Sequence, residues 1–305
     1  MLRELRLPLL CSIAAALTTI GLKFFAYWVS GSVGLFSDAI ESLVNLLASV
    51  TAFLSLWYAS KPADMSHAYG HEKIEYFSSG IEGSLILVAA ASIGWSAVER
   101  LLNPKALEDL GIGILVSTVA AGINLVVALM LLRVGKKHDS IILEADGHHL
   151  LTDVWTSVGV VVALGLVKVT GWELLDPIIA IAVAVNVAWT AFGLMRRSFD
   201  GLMDHAWPAA EQDTVRRVLE SQMRPGLHYH ALRTRQAGSR RFVDFHLLVP
   251  GDWTVQKAHE FSDAIEAAIR AELPRAQCTV HIEPVESETS WTDSELLSLE
   301  PQRPK

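Results

Sequence analysis

Residues 37–45 read Ser37-Asp38-Ala39-Ile40-Glu41-Ser42-Leu43-Val44-Asn45, inside an apolar run from about 33 to 58. A helix crosses a bilayer with ~20 mostly apolar residues, so this run is long enough to span one. Wound as a helix, it sets Asp38, Glu41 and Asn45 at i, i+3 and i+7, on one face. A second run, from about 141 to 168, contains Glu144-Ala145-Asp146-Gly147-His148-His149-Leu150-Leu151-Thr152-Asp153. There His149 and Asp153 share a face at i and i+4, while His148 points elsewhere and reads as a packing or gate residue. Four further runs, 8–30, 78–102, 110–133 and 177–199, complete a set of six spans. Turn residues separate them: Gly31-Ser32, Asn103-Pro104, Gly171 and Asp176-Pro177, with Pro177 suited to a first helical turn.

Composition agrees. Of 305 residues, 51% are hydrophobic and 19% charged, against roughly 25% charged in an ordinary soluble domain. The deficit lies before residue 200, and the remainder reads as soluble protein. Arg3 and Arg6 precede the first apolar run as in a signal peptide, but the run continues from Leu7 to about Val29, long enough to span a bilayer, and predicts a retained helix over a cleaved signal. The formal net charge is −8, and no basic, aromatic-studded patch stands out, which argues against nucleic acid as a partner. Cys11 and Cys278 lie far apart in sequence and indicate neither a disulfide framework nor a thiolate metal site. Arg3, Arg6, Lys61, Lys73, Arg133, Lys136, Lys137, Arg196 and Arg197 fall on one side of the spans, and Arg100, Lys105 and Lys168 on the other. The positive-inside rule then predicts a multi-pass protein of the cell (inner) membrane with both termini cytoplasmic.

At ~1.5 Å per residue, Glu41 and Asn45 lie roughly 12 and 18 Å into their helix, and His149 and Asp153 reach similar depths in an antiparallel one. This places Glu41 level with Asp153 and Asn45 level with His149. Four oxygen and nitrogen side chains converging from two helices suit a tetrahedral metal site. Simple helix–helix hydrogen bonding is the blander explanation. It fits Asp38, a shallow residue that reads as an entrance group or as support behind the ligands. It fits Glu41 and Asp153 poorly, because an acid at mid-bilayer costs about 2.5–3.5 kcal/mol on insertion scales. In the loop between the second and third spans, Asp64, His67 and His71 form a candidate entry or regulatory metal site.

The six spans, the paired motifs in the second and fifth, the loop Pro62-Ala63-Asp64-Met65-Ser66-His67-Ala68-Tyr69-Gly70-His71-Glu72-Lys73 and the segment Leu232-Arg233-Thr234-Arg235-Gln236 resemble the cation diffusion facilitator family. The resemblance covers about residues 8 to 285. It implies a proton-coupled exporter of divalent metal, an antiporter with Glu41, Asn45, His149 and Asp153 at the transport-site positions. Two of these depart from the family pattern: Glu41 stands where aspartate or histidine is usual, and Asn45 where aspartate is usual.

Past residue 207 an amphipathic helix (208–223), two strands with a turn at Ala237-Gly238-Ser239, a helix capped by Thr254 and a third strand give the order α-β-β-α-β. That order suits a small α+β sheet with helices on one face. The expected domains are therefore an all-α six-helix transmembrane domain (1–207), a ferredoxin-like or metallochaperone-like α+β cytoplasmic domain (208–285) and a disordered tail (286–305). His281 and Glu283 share a strand face. The resemblance implies that His230, His246, His259, His281 and Glu283 hold a cytoplasmic metal site, with Glu283 in place of the usual aspartate. It also implies a homodimer, and a Lys73–Asp204 ion pair at the membrane interface.

The function expected is secondary active export of a divalent transition metal in exchange for protons. Zinc is the first expectation, with Fe, Co, Ni, Cd or Mn also open. The metal is substrate and regulatory ligand, and no organic cofactor is expected. A non-transporting metal sensor of the same fold is the alternative. A membrane metalloenzyme is disfavoured, since His67 and His71 lack a His-Glu-x-x-His context; no enzyme activity is expected.

Overall fold

A computed structural model describes residues 2–30, 33–103, 111–172 and 174–291, and within the helices the side chains of 2–3, 29–30, 33–41, 44, 111–114, 160, 164–165 and 168 fall outside this set. The chain forms two compact units, divided between Leu202 and Met203. The expected boundary lay a few residues later. It shifts because Trp207 is fully buried in the second unit, its indole N–H donating to the Arg235 carbonyl at 2.9 Å.

The first unit consists of α1 (Leu2–Ser30), α2 (Val33–Ala59), α3 (Ile74–Leu102), α4 (Gly111–His138), α5 (Ile141–Thr170) and α6 (Leu175–Leu202). Each expected span is a helix, with α1, α3 and α4 extended by a turn or more at the end that carries the α2–α3 loop. Glu4–Trp28, Ile74–Leu102, Leu115–His138 and Leu175–Leu202 are long and apolar enough to cross a membrane. The described apolar stretch of α2 is shorter, Asn45–Ala59, and α5 carries Glu144, Asp146, Asp153 and Lys168. Over their full length both are apolar helices, interrupted by the polar residues expected to bear the site. Gly171, at φ 70°, ends α5 as a left-handed cap. The Gly31-Ser32 and Pro104 turns lie outside the described residues.

Ion pairs and hydrogen bonds show which helix ends lie together. His138 at the end of α4 meets Glu4 at the start of α1 at 3.0 Å. Arg197 near the end of α6 meets Glu144 near the start of α5. Ser140, just before α5, donates to Glu75 at the start of α3. The loop joining α2 to α3 is at this same end. At the other end, Arg100 of α3 pairs with Asp176 of α6 at 2.8 Å. Small residues let α3 and α6 approach closely: a Cβ on Gly201 would collide with the Tyr76 ring, and one on Gly83 with Met195.

The second unit holds α7 (Ala209–Gln222), β1 (His228–Ala237), β2 (Arg240–Val249), α8 (Val255–Glu272) and β3 (Ala276–Pro284). The sheet order is β1-β2-β3, with β1–β2 antiparallel and β2–β3 parallel. This is the expected α+β arrangement. Thr254 caps α8, accepting the Lys257 N–H at 3.2 Å. Along β2, alternate residues Val243, Phe245, Leu247 and Val249 pack with Val215 and Leu219 of α7 and Ile265 and Ile269 of α8. The pleat therefore turns His246 to the opposite face. Residues 286–291 correct the expected tail. The Val285 N–H bonds the Val249 carbonyl, Glu286 accepts the Gly251 N–H, and Trp291 donates to the Val285 carbonyl at 3.0 Å. These contacts bind the segment to the sheet despite its polar composition. Residues 292–305 lie outside the described set.

Candidate metal sites

In the helical unit, Asn45 of α2 meets His149 and Asp153, which lie one turn apart on one face of α5. All three sit mid-helix, with Asn45 and His149 each 6% exposed. The Asn45 amide spans one turn of α5. Its Oδ1 lies 2.6 Å from His149 Nε2, and its Nδ2 donates to Asp153 Oδ2. Asn45 therefore contacts both residues, not only the level partner His149, because its amide offers an acceptor and a donor at opposite ends. The Glu41 and Asp38 side chains lie outside the described residues.

Asn124 of α4 also belongs here. Its Nδ2 donates to Asp153 Oδ2 at 3.2 Å, and the sequence reading did not single it out. The available signal was a buried-type amide, Ile123-Asn124-Leu125, in an apolar span. With both amides donating, Asp153 is held as an acceptor facing His149's partner. A cation entering here would replace hydrogen bonds already aimed at the same lone pairs.

One turn toward the loop end, Asp146 Oδ1 accepts from Ser49 at 2.9 Å, and Ser49 meets Ser12 of α1 at 2.9 Å. Asp146 is fully buried, as is Glu82 of α3 at 1% exposure. Neither was a predicted ligand.

The loop brings Asp64, His67 and His71 together, with their potential ligand atoms within 4.8 Å of one another. Asp64 Oδ1 accepts the backbone N–H of His67 at 2.8 Å and of Ser66 at 2.9 Å, folding the loop around the carboxylate. These backbone donors, the one from His67 foremost, hold the Asp64 carboxyl below the usual carboxylate range. Asp64 Oδ2 lies 3.2 Å from His71 Nε2. The His71 ring is buried edge-on against Tyr58, with centroids 4.8 Å apart.

In the second unit, strand register builds a row. His230 pairs with His246 across β1–β2, and His246 with His281 across β2–β3. Glu283, two residues beyond His281, points back to all three. Its carboxylate lies 3.1 Å from His230 Nε2, 3.5 Å from His246 Nδ1 and 3.4 Å from His281 Nε2. His230, His246 and Glu283 have ligand atoms close enough for one ion, while His281 is largely exposed. A bulge follows His230, with Ala231 at φ 51°, a device common beside functional sites. His259 is not brought in: it lies exposed on α8, 3.5 Å from Asp263 one turn on. Asp204 lies 3.6 Å from Arg235 within its own unit. Cys278, half-buried in β3, has its thiol pushed up to about 11, chiefly by burial and then by the Glu266 charge, which keeps it a neutral thiol and a poor metal ligand.

The chain as a whole is similar to known proteins. Residues 9–203 match the family domain described as the cation efflux transmembrane domain, and residues 207–285 the cytoplasmic domain of cation efflux proteins. The chain is 51% identical over 280 residues to the uncharacterized transporter sll1263 of Synechocystis, covering 92% of this chain and 90% of that one. It is 32% identical over 277 residues to the cation-efflux pump FieF of Shewanella oneidensis, covering 91% and 93%. A solved structure of the CzrB transporter in its Zn form is 39% identical, covers 28% of this chain and 98% of that chain, and gives a TM-score of 0.26. The chain is a membrane protein of the cation diffusion facilitator family, a cation efflux transporter with a transmembrane domain followed by a cytoplasmic α+β domain.

Proposed function

We propose that this transporter exports a divalent transition-metal cation, zinc foremost, from the cytoplasm in exchange for protons. On this reading Glu41, Asn45, His149 and Asp153 are the transport ligands. The observation that carries it is the buried meeting of Asn45, His149 and Asp153 from α2 and α5 in mid-bundle. A histidine beside carboxylates suits zinc and, less selectively, iron, cobalt, nickel or cadmium. Metal entry favours deprotonated ligands and so releases protons; protons returning from the far side release the metal. Rocking of the helices about this site alternates its exposure.

The protein works as a homodimer in the cell's inner membrane with both termini cytoplasmic, and the Lys73–Asp204 pair braces the membrane interface. Asp64, His67 and His71 take up or sense incoming metal. His230, His246 and Glu283, with His281 at the rim, bind metal in the cytoplasmic domain and report its level. With Glu41 and Asp153 as the ionisable acids, the transport site carries two negative charges, which balance one divalent ion. The test is metal uptake into proteoliposomes under an imposed pH gradient, over a panel of metals. Zinc accumulation that collapses with the gradient is expected. No accumulation of any metal by folded protein would refute transport and leave a sensor.

A further inference from the structure

The transport residues are not the end of the buried polar side chains. On α3, Glu75, Ser78, Ser79 and Glu82 form a buried polar side within about two turns of the loop end. On α5, Asp146, His149 and Asp153 follow at i, i+3 and i+7, so Asp146 leads from that same end to the transport residues. Ile86, one turn beyond Glu82, and Ala145, next to Asp146, pack in one cluster, which turns α3 and α5 toward each other at this level. The charge of Asp146 acts on Glu82. Both Glu82 oxygens, Asp146 Oδ2 and the Ser78 hydroxyl are buried without a hydrogen-bond partner.

Two fully buried carboxyl groups with three unbonded oxygens either hold protons or take a cation, because each buried ion costs several kcal/mol unless compensated. The hydrogen bonds that the structure gives Asp146 come from neutral hydroxyls, Ser49 and Ser12, and its one basic neighbour is His149, a proposed transport ligand. One divalent cation balances both charges, and oxygen donors from two carboxylates and nearby serines suit it.

We propose that Glu82 and Asp146 form a second divalent-cation site, one helical turn from His149, on which the ion rests between the loop end of the bundle and the transport residues. The proposal builds on the transport reading above. The site places a charge-neutral stop between the loop end and the transport residues, and Asp146 hands the ion to His149 along the same face of α5.

The test is zinc flux into proteoliposomes by full-length wild type, Glu82→Gln and Asp146→Asn, at zinc that saturates the wild type. Each neutral variant is expected to lose at least tenfold in flux, and the charge-keeping Glu82→Asp and Asp146→Glu to recover most of it. Flux within twofold of wild type in both neutral variants overturns the site, as does an equal loss in the charge-keeping ones. Should a neutral variant not be recovered folded, wild-type crystals soaked in cadmium decide by anomalous scattering. A peak between Glu82 and Asp146 is expected, and a peak at the transport residues alone overturns the proposal. A wild type that moves no metal overturns the transport reading itself, a result distinct from a working wild type with working variants.

Discussion

Replacing Asn45 by aspartate exchanges one heavy atom and adds a carboxylate to the proposed transport site. In the wild type the Asn45 amide donates to Asp153 Oδ2 and offers Oδ1 to His149. In the variant that donor becomes an acceptor, and two carboxylates face each other at hydrogen-bonding range. At ~4 Å and an effective dielectric of about 20, two like charges repel by about 4 kcal/mol. Asn124 remains on Asp153 but carries no charge to offset this. A proton or a cation must therefore sit between the two carboxylates. About 4 kcal/mol corresponds to roughly a thousandfold preference for a cation-bound or protonated pair over the doubly ionised one. The expected outcome is about one additional proton released per zinc bound, with a correspondingly steeper fall in zinc affinity as pH drops. The assay is zinc titration of purified protein in weakly buffered solution with a pH indicator, repeated across pH. The loop and cytoplasmic sites contribute equally to both proteins and cancel in the difference. Identical proton release and identical pH slopes in wild type and Asn45→Asp would refute the charge argument.

Glu283→Gln keeps the shape but removes the charge that faces His230, His246 and His281. Charge-assisted bonds are worth about 1.5–3 kcal/mol, so zinc titration of the fragment 203–305 should show affinity roughly 10- to 100-fold lower, while His259→Ala stays within about twofold. Burial holds the Cys278 thiol up to about 11, so maleimide should modify it slowly at pH 8 in the folded protein and rapidly once unfolded. The sign for stability follows: the unfolded chain ionises this thiol first, so its contribution turns against folding as pH rises from about 9 toward 11, visible as a falling unfolding midpoint that Cys278→Ala removes. Gly201→Ala drives a methyl into the Tyr76 ring between α6 and α3 and should cost about 1–3 kcal/mol in thermal unfolding. Gly193→Ala on the same helix meets nothing within 4 Å and should not destabilise.

Hydropathy alone located the six helices, since a bilayer-length apolar run has few other uses. Helical spacing put Asn45 on one face of α2, and His149 and Asp153 on one face of α5. Alternation along β2 and the Thr254 cap were equally legible, because period and capping are local properties of the chain. The sequence could not say which faces meet. Asn124 is one amide in an apolar α4, and only packing of α4 on α5 brings it to Asp153. Glu82 on α3 and Asp146 on α5 are far apart in sequence, and only the packing of those two helices buries both at one level. His259 shows the reverse case. It looked like one more histidine of the cytoplasmic site, yet the helix turns it to solvent beside Asp263, while the strand register gathers His230, His246 and Glu283 across three strands. Residues 286–291 read as tail by composition, but the side chains of Glu286, Ser290 and Trp291 found backbone partners at Gly251, Pro284 and Val285. Local periodicity fixes which way a side chain points from its own element. What it points at is set by the packing of elements far apart in sequence, and the charge balance of these sites is decided there.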